Sequence, residues 1–257
     1  VNDIVTNSSN VGTILLAREV GADRLDDYLR RFGFGQRTAL DFPSESAGIM
    51  LDREKWSGTS IGAIPIGHGV AVTAMQMLDV YNTIANGGVA QPPRLVSGVT
   101  DEDGTVTALD PTEGTRVVSE ETATELRAML ANVVDIGTGT AASIDGYTVA
   151  GKTGTARKPQ ETGGYADEDG LFDYVSTFAG FVPADDPQVS AIVVLDEPET
   201  SIYASETAAP VFAELAQFSL RPLGIAPADV GFDEVDLPEP SAGLGPAEEN
   251  DIAALDR

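Results

Sequence analysis

Tyr147-Thr148-Val149-Ala150-Gly151-Lys152-Thr153-Gly154-Thr155-Ala156 reads as a β-strand, the first of three in the second half of the chain. Tyr174–Val182 and Val189–Leu195 follow, each short, rich in β-formers and bounded by turn residues. A polar, Gly-rich stretch at 157–173 joins the first two, and Pro210 opens a closing helix that runs through Leu220. Upstream the period is helical. Residues 11–20 are closed by Gly21 and residues 23–32 by Gly33, with Leu25, Tyr28, Leu29 and Phe32 on one face of the second. Thr73 and Gln76 form a capping box ahead of Met77, Leu78, Tyr81 and Ile84, and Asn86-Gly87-Gly88 ends that helix. Ser119 caps a further helix, with Glu120 and Glu121 in its first turn and Leu126, Met129, Leu130 and Val133 as its core face. Residues 34–62, rich in Gly, Pro and Ser, read as an excursion of little regular structure, with Trp56 as its packing residue. Strands joined in sequence and flanked by helices imply an α/β protein of α+β type, an antiparallel sheet covered by helices.

The chain has 257 residues, enough for one large domain. Residues 1–227 read as that domain. The stretch 228–257 is Asp, Glu, Pro, Gly and Ala with few large apolar side chains, and reads as an acidic disordered tail. The net charge of −26 sets the chain against nucleic acid as a partner, because phosphate would be repelled. Cysteine is absent, which excludes disulfides and thiolate chemistry, and a single histidine, His68, leaves no Ser-His-Asp triad or histidine metal site to expect. No run of 18 apolar residues occurs, and the first residues have no leader pattern. An internal piece of a longer protein is the expectation.

Lys152-Thr153-Gly154-Thr155 places an ammonium and two hydroxyls along one strand, with Lys152 and Gly154 on one face and Thr153 and Thr155 on the other. That set can receive a carboxylate and tune a neighbouring serine, and an interior glycine marks a close approach. A bare triplet of this kind also fits an ordinary edge strand. Ser8-Ser9-Asn10, 144 residues upstream of Lys152 counted from Ser8, fits a helix N-cap equally well. The value of the two segments comes from their joint occurrence, order and context.

The combination resembles the penicillin-binding protein transpeptidases, most closely the class B, division-type enzymes, whose sites join Ser-x-x-Lys, Ser-x-Asn and Lys-Thr-Gly. The likeness extends through Leu29-Arg30-Arg31-Phe32-Gly33-Phe34-Gly35, Gly67-His68-Gly69 with Thr73-Ala74-Met75-Gln76-Met77, and Ile84-Ala85-Asn86-Gly87-Gly88. It continues through Gly137-Thr138-Gly139-Thr140-Ala141-Ala142, Ala150 to Ala156, Phe178 to Pro187 and Ala208 to Phe212, so that it covers about residues 1 to 225. The middle motif is Ser-Ser-Asn here, and His68 stands where the family usually has glutamine.

The resemblance implies a fold like the penicillin-binding transpeptidases and serine β-lactamases, and a peptidoglycan D,D-transpeptidase. Ser8 would relay protons, Asn10 would hold the acyl-donor peptide, and Lys152 would support the site electrostatically. Thr153, Gly154 and Thr155 would bind the terminal carboxylate of a D-Ala-D-Ala stem peptide or of a β-lactam, and the Thr155 N–H would supply half of an oxyanion hole. No metal or organic cofactor is implied. Division or elongation proteins are expected partners. The parent is expected outside the cytoplasm, anchored in the cell membrane by an N-terminal helix absent here.

The nucleophile is not in this sequence. Its three lysines are Lys55, Lys152 and Lys158, and three places before them stand Asp52, Val149 and Thr155, so no Ser-x-x-Lys exists. The chain as given is expected to be inactive, a part of the transpeptidase domain. Two alternatives stay open: a hydrolytic relative (a D,D-carboxypeptidase or β-lactamase) and a non-catalytic scaffold module of the division machinery. Upstream coding sequence distinguishes them, since an intact Ser-x-x-Lys supports the enzyme and a replaced serine the scaffold.

Overall fold

The computed structural model describes residues 1–40, 42–160 and 163–227; the acidic stretch 228–257 lies outside the described residues. Three helices open the chain, α1 (Asn2–Thr6), α2 (Asn10–Val20) and α3 (Ala22–Arg31). The excursion that follows holds β1 (Ile49–Met50) and α4 (Ser60–Ala63), and β2 (Val70–Ala71) returns to pair with β1. Then come α5 (Ala74–Ala85), β3 (Val89–Ala90), the hairpin of β4 (Gly98–Thr100) and β5 (Val106–Ala108), and β6 (Thr115–Arg116). After α6 (Glu120–Asp135) the main sheet follows, β7 (Ala150–Arg157), β8 (Tyr174–Val182) and β9 (Val189–Asp196), and α7 (Ala208–Leu220) closes the described fold.

The main sheet is antiparallel in the order β7-β8-β9, so β7 is an edge strand. Helices cover both faces. On one, Phe178 of β8 meets Phe212 of α7 with ring centroids 4.7 Å apart, within a cluster that includes Val182, Val193, Ala216 and Leu220. On the other, Ala150 and Phe181 pack with Ile84 of α5 and Leu130 and Ala131 of α6. Alternation along β8 makes this possible, because Phe178 and Phe181 fall on opposite sides of the pleat. Aromatic side chains of this size dominate the burial energy of each layer.

The expected strands and caps are present. Thr73 Oγ1 accepts the Gln76 N–H and Gln76 Oε1 accepts the Thr73 N–H, while Ser119 Oγ accepts from Thr122 N. Gln76 does more than cap. Its Nε2 donates to the carbonyls of Gln36 (2.6 Å) and Ala47 (2.8 Å), which ties the irregular excursion to the start of α5.

Three local expectations are corrected. The first main strand starts at Ala150 rather than Tyr147, because Tyr147 closes a small turn by bridging Ile144. Tyr28 is exposed, whereas Asp26 is buried on α3. The carboxylate of Asp26 accepts two bonds from Arg30 Nε at 3.1 and 3.0 Å, and Arg30 Nη2 reaches Leu51 O, so an ion pair packs beside Leu25, Leu29 and Phe32, which are half-buried as the apolar face requires. The short strands β1 to β6 had no counterpart in the sequence reading; at two or three residues each they are too brief to show a period.

Candidate active site

The turn between α1 and α2 divides the roles of Ser8, Ser9 and Asn10. Ser9 Oγ accepts from Gly12 N at 3.2 Å and is the N-cap of α2. Ser8 adopts φ +55°, a left-handed conformation that costs a serine free energy and frees its side chain from capping. Asn10 is the first residue of α2. Close packing fixes the turn. A Cβ on Gly12 would lie 2.7 Å from Ile4 Cγ1, so only glycine lets α2 lie this near α1.

α1 is itself clamped to the end of α6. Asn2 Oδ1 accepts from Asn132 Nδ2 at 3.2 Å, and Thr138 N donates to Thr6 O at 3.3 Å. Gly137 makes the approach possible, since a Cβ there would stand 2.3 Å from Thr6 O. The segment that carries Ser8 is thereby held beside Thr138, and Thr138 Oγ1 lies 2.8 Å from Thr153 Oγ1 on β7.

Along β7, Lys152 pairs with Ala179, Thr153 with Phe178, Gly154 with Thr177 and Thr155 with Ser176. Lys152 Nζ donates to Thr153 O at 3.2 Å. Among the described residues it forms no ion pair with a carboxylate. Burial beside apolar side chains disfavours the charged form and lowers its pKa to about 8. Thr155 Oγ1 accepts from Ala204 N at 3.3 Å, joining the strand to the loop before α7. Gly154 also sits close to the neighbouring strand, where a Cβ would lie 2.5 Å from Thr177 Oγ1.

These pieces converge. Ser8, Asn10, Lys152, Thr153, Gly154 and Thr155 all line one cleft of about 660 Å3 at the β7 edge of the sheet. Ile4, Val80, Tyr81, Ile84 and Leu130 form its apolar wall, which accounts for the dehydration of Lys152. No carboxylate and no imidazole line the cleft among the described residues. Likewise, no group of three or more His, Cys, Asp or Glu able to hold a metal occurs among the described residues. One cation, several hydroxyls and an amide in a partly dry cleft can receive an anionic group through charge-assisted hydrogen bonds.

Thr138 and Tyr203 are among the lining residues not singled out as site residues from sequence. Thr138 sat within a stretch noted only for its family likeness, and its hydroxyl partner is visible only in three dimensions. Tyr203 comes from the loop after β9, where no local pattern marks it. His68 is not among the lining residues. Its ring stacks on Tyr165 of the β7–β8 connection, centroids 5.2 Å apart.

The model of the penicillin binding protein transpeptidase domain matches residues 1–217. Penicillin-binding protein PbpB of Mycolicibacterium smegmatis is 43% identical over 223 residues, 83% of this chain and 34% of the relative. The probable peptidoglycan D,D-transpeptidase PenA of Neisseria meningitidis serogroup A is 35% identical over 229 residues, 88% of this chain and 37% of the relative. The crystal structure of penicillin binding protein 3 from Mycobacterium tuberculosis, complexed with ampicillin, superposes with a TM-score of 0.79 at 36% identity. It covers 89% of this chain and 52% of that one. The chain thus spans about a third of the length of the curated relatives it matches.

Proposed function

The chain belongs to the penicillin-binding protein transpeptidase family, with class B relatives, and from that premise we propose that it forms the substrate-binding part of a peptidoglycan D,D-transpeptidase site. The observation that carries this reading is the meeting of Ser8, Asn10, Lys152, Thr153 and Thr155 in one cleft although 144 residues separate Ser8 from Lys152. Peptidoglycan synthesis is the setting that the name of the Neisseria relative supports, and a place outside the cytoplasm belongs to the proposal. Membrane anchoring and division or elongation partners of the parent belong to the proposal. No helix among the described residues is long and apolar enough to cross a membrane.

In the proposed reaction a serine hydroxyl from a Ser-x-x-Lys segment, absent from these 257 residues, attacks the carbonyl carbon of the penultimate D-alanine. The C–N bond to the terminal D-alanine breaks, and the leaving amine takes a proton through Ser8. An amine of a second stem peptide then attacks the acyl ester, gives up a proton by the same relay, and restores the serine hydroxyl. Lys152, Thr153 and Thr155 receive the terminal carboxylate, a charge-assisted contact of the stronger kind. Asn10 donates from its amide to the donor peptide. The Thr155 N–H serves the developing oxyanion, a donor type worth about 3–4 kcal/mol in other acyl-transfer sites. A β-lactam occupies the same contacts through its own carboxylate.

The test uses the 257-residue chain with benzylpenicillin and an acetylated D-Ala-D-Ala peptide. Mass spectrometry should find no covalent adduct, because no serine here has a lysine three residues later. Both compounds should bind reversibly, compete with one another and lose affinity in Lys152→Ala and Thr153→Val. A stoichiometric adduct, or binding indifferent to both substitutions, would overturn the proposal.

A further inference from the structure

Among the described residues, the β4–β5 hairpin has no part in the cleft and pairs with no further strand. It is a two-stranded sheet among the described residues, with Gly98 opposite Ala108, Val99 opposite Thr107 and Thr100 opposite Val106. Leu95, Val96, Val99, Val106 and Leu109 are 69%, 53%, 56%, 69% and 45% exposed. They lie on both faces of the hairpin, since Val99 and Val106 sit at positions of opposite pleat. Two strands with both faces wet are marginal alone, and a cluster of large apolar side chains in water marks a place where something binds.

The backbone indicates how. Leu109 N donates to Ser97 O and Asp101 N to Thr105 O, which fixes the ladder's phase. Ser97/Leu109, Val99/Thr107 and Asp101/Thr105 are the hydrogen-bonded pairs, so the N–H and C=O of Val106 and Ala108 point away from β4. All three residues of β5 are exposed, as are Val99 and Thr100 of β4, and the one half-buried residue, Gly98, lies on β4, so the β5 edge is the more accessible of the two.

Charge selects the occupant. Between Leu95 and Gly114 the chain carries Asp101, Glu102, Asp103, Asp110 and Glu113 and no lysine or arginine. A second copy would bring the same acidic turn against this one, in a chain of net charge −26, and an anionic lipid surface would be repelled. We propose that the β5 edge of the hairpin docks an extended, lysine- or arginine-rich segment of another protein, added as a third strand. Main-chain bonds to Val106 and Ala108 hold it, apolar side chains cover Val99 or Val106, and basic side chains meet the acidic turn. Strand addition of this kind draws affinity from the backbone and specificity from alternate side chains.

The probe is a synthetic peptide of alternating lysine and valine, tested on the full 257-residue chain beside an equally charged peptide N-methylated at its central amides. The parent peptide should bind and slow hydrogen exchange at the Val106 and Ala108 amides. N-methylation should weaken binding at least tenfold. Val106→Pro, which removes an outward N–H and leaves the β4 pairing possible, should do the same. Thr100→Pro, on the opposite edge, should leave binding within twofold, with melting temperatures reporting that both variants fold. Equal binding of the methylated peptide, protection elsewhere than β5, or loss in Thr100→Pro with retention in Val106→Pro would each overturn the proposal. So would self-association through the hairpin in sedimentation, which would make a second copy the occupant.

Discussion

The Thr138 hydroxyl stands 2.8 Å from the Thr153 hydroxyl, so a loop residue and a strand residue present one hydrogen-bonding unit to the cleft. Thr138→Val keeps the shape and removes that partner. Reversible binding of an acetylated D-Ala-D-Ala peptide should weaken about three- to tenfold, the worth of one net hydrogen bond of roughly 0.5–1.5 kcal/mol. Thr138→Ser should bind as the parent does. Calorimetric titration of the three proteins is the measurement, and equal affinity of the valine variant would remove Thr138 from the site.

Lys152 should titrate near 8 when followed by NMR of its side chain. The sign of its effect on stability follows. Its folded pKa lies below the ordinary lysine value of 10.5, so between about 8 and 10.5 the unfolded chain holds more protons and stability rises with pH. Below 8 the charged form carries the whole penalty. Lys152→Met should therefore be more stable than the parent at pH 7, by on the order of 2 kcal/mol, and the difference should vanish as pH approaches 10.5. Denaturant melts across pH decide it; a destabilised methionine variant at pH 7 would contradict a half-buried ammonium that the cleft's apolar wall dehydrates.

Gly154→Ala should cost about 1–3 kcal/mol, because the new methyl meets Thr177 Oγ1 at 2.5 Å. Thr177→Ala removes the obstacle while keeping the strand. The double variant should recover most of the loss, giving a coupling well above 0.5 kcal/mol in a double-mutant cycle. Additive effects would mean that the glycine answers to something other than Thr177.

Ser8 offers a cleaner separation of strain from chemistry. At φ +55° a glycine is at ease where serine and alanine are not. Ser8→Gly should therefore melt higher than Ser8→Ala, by about 1 kcal/mol of stability. Both remove the hydroxyl, so in a form that contains the nucleophile both should lose acyl transfer alike. A glycine variant less stable than the alanine variant would deny the left-handed turn.

The legible parts of this chain were those written in local chemistry. Thr73–Gln76 and Ser119 announce helix starts through side chains that bond three residues away, and β8 begins and ends where its apolar run does. The motif residues Ser8, Asn10 and Lys152 were legible as types, and their convergence required the fold. What escaped the sequence depends on distant partners. Ser8 and Ser9 look interchangeable until Gly12 N selects Ser9 as the cap. Tyr28 reads as core until Arg30 draws Asp26 inward. Thr138 gains its place only through Thr153, and the two-residue strands take their form from pairing alone.

The Asn2–Asn132 bond and the close contact of Gly137 with Thr6 have a meaning for rate as well as for structure. Ser8 and Lys152, the two reagents of the proposed site, sit on one long tether, and the clamp sets the effective molarity of one in the presence of the other. Weakening it, by Asn132→Ala for example, alters no group in the cleft. It dilutes half of the proposed site, and in a form that contains the nucleophile turnover would fall as though less enzyme had been added.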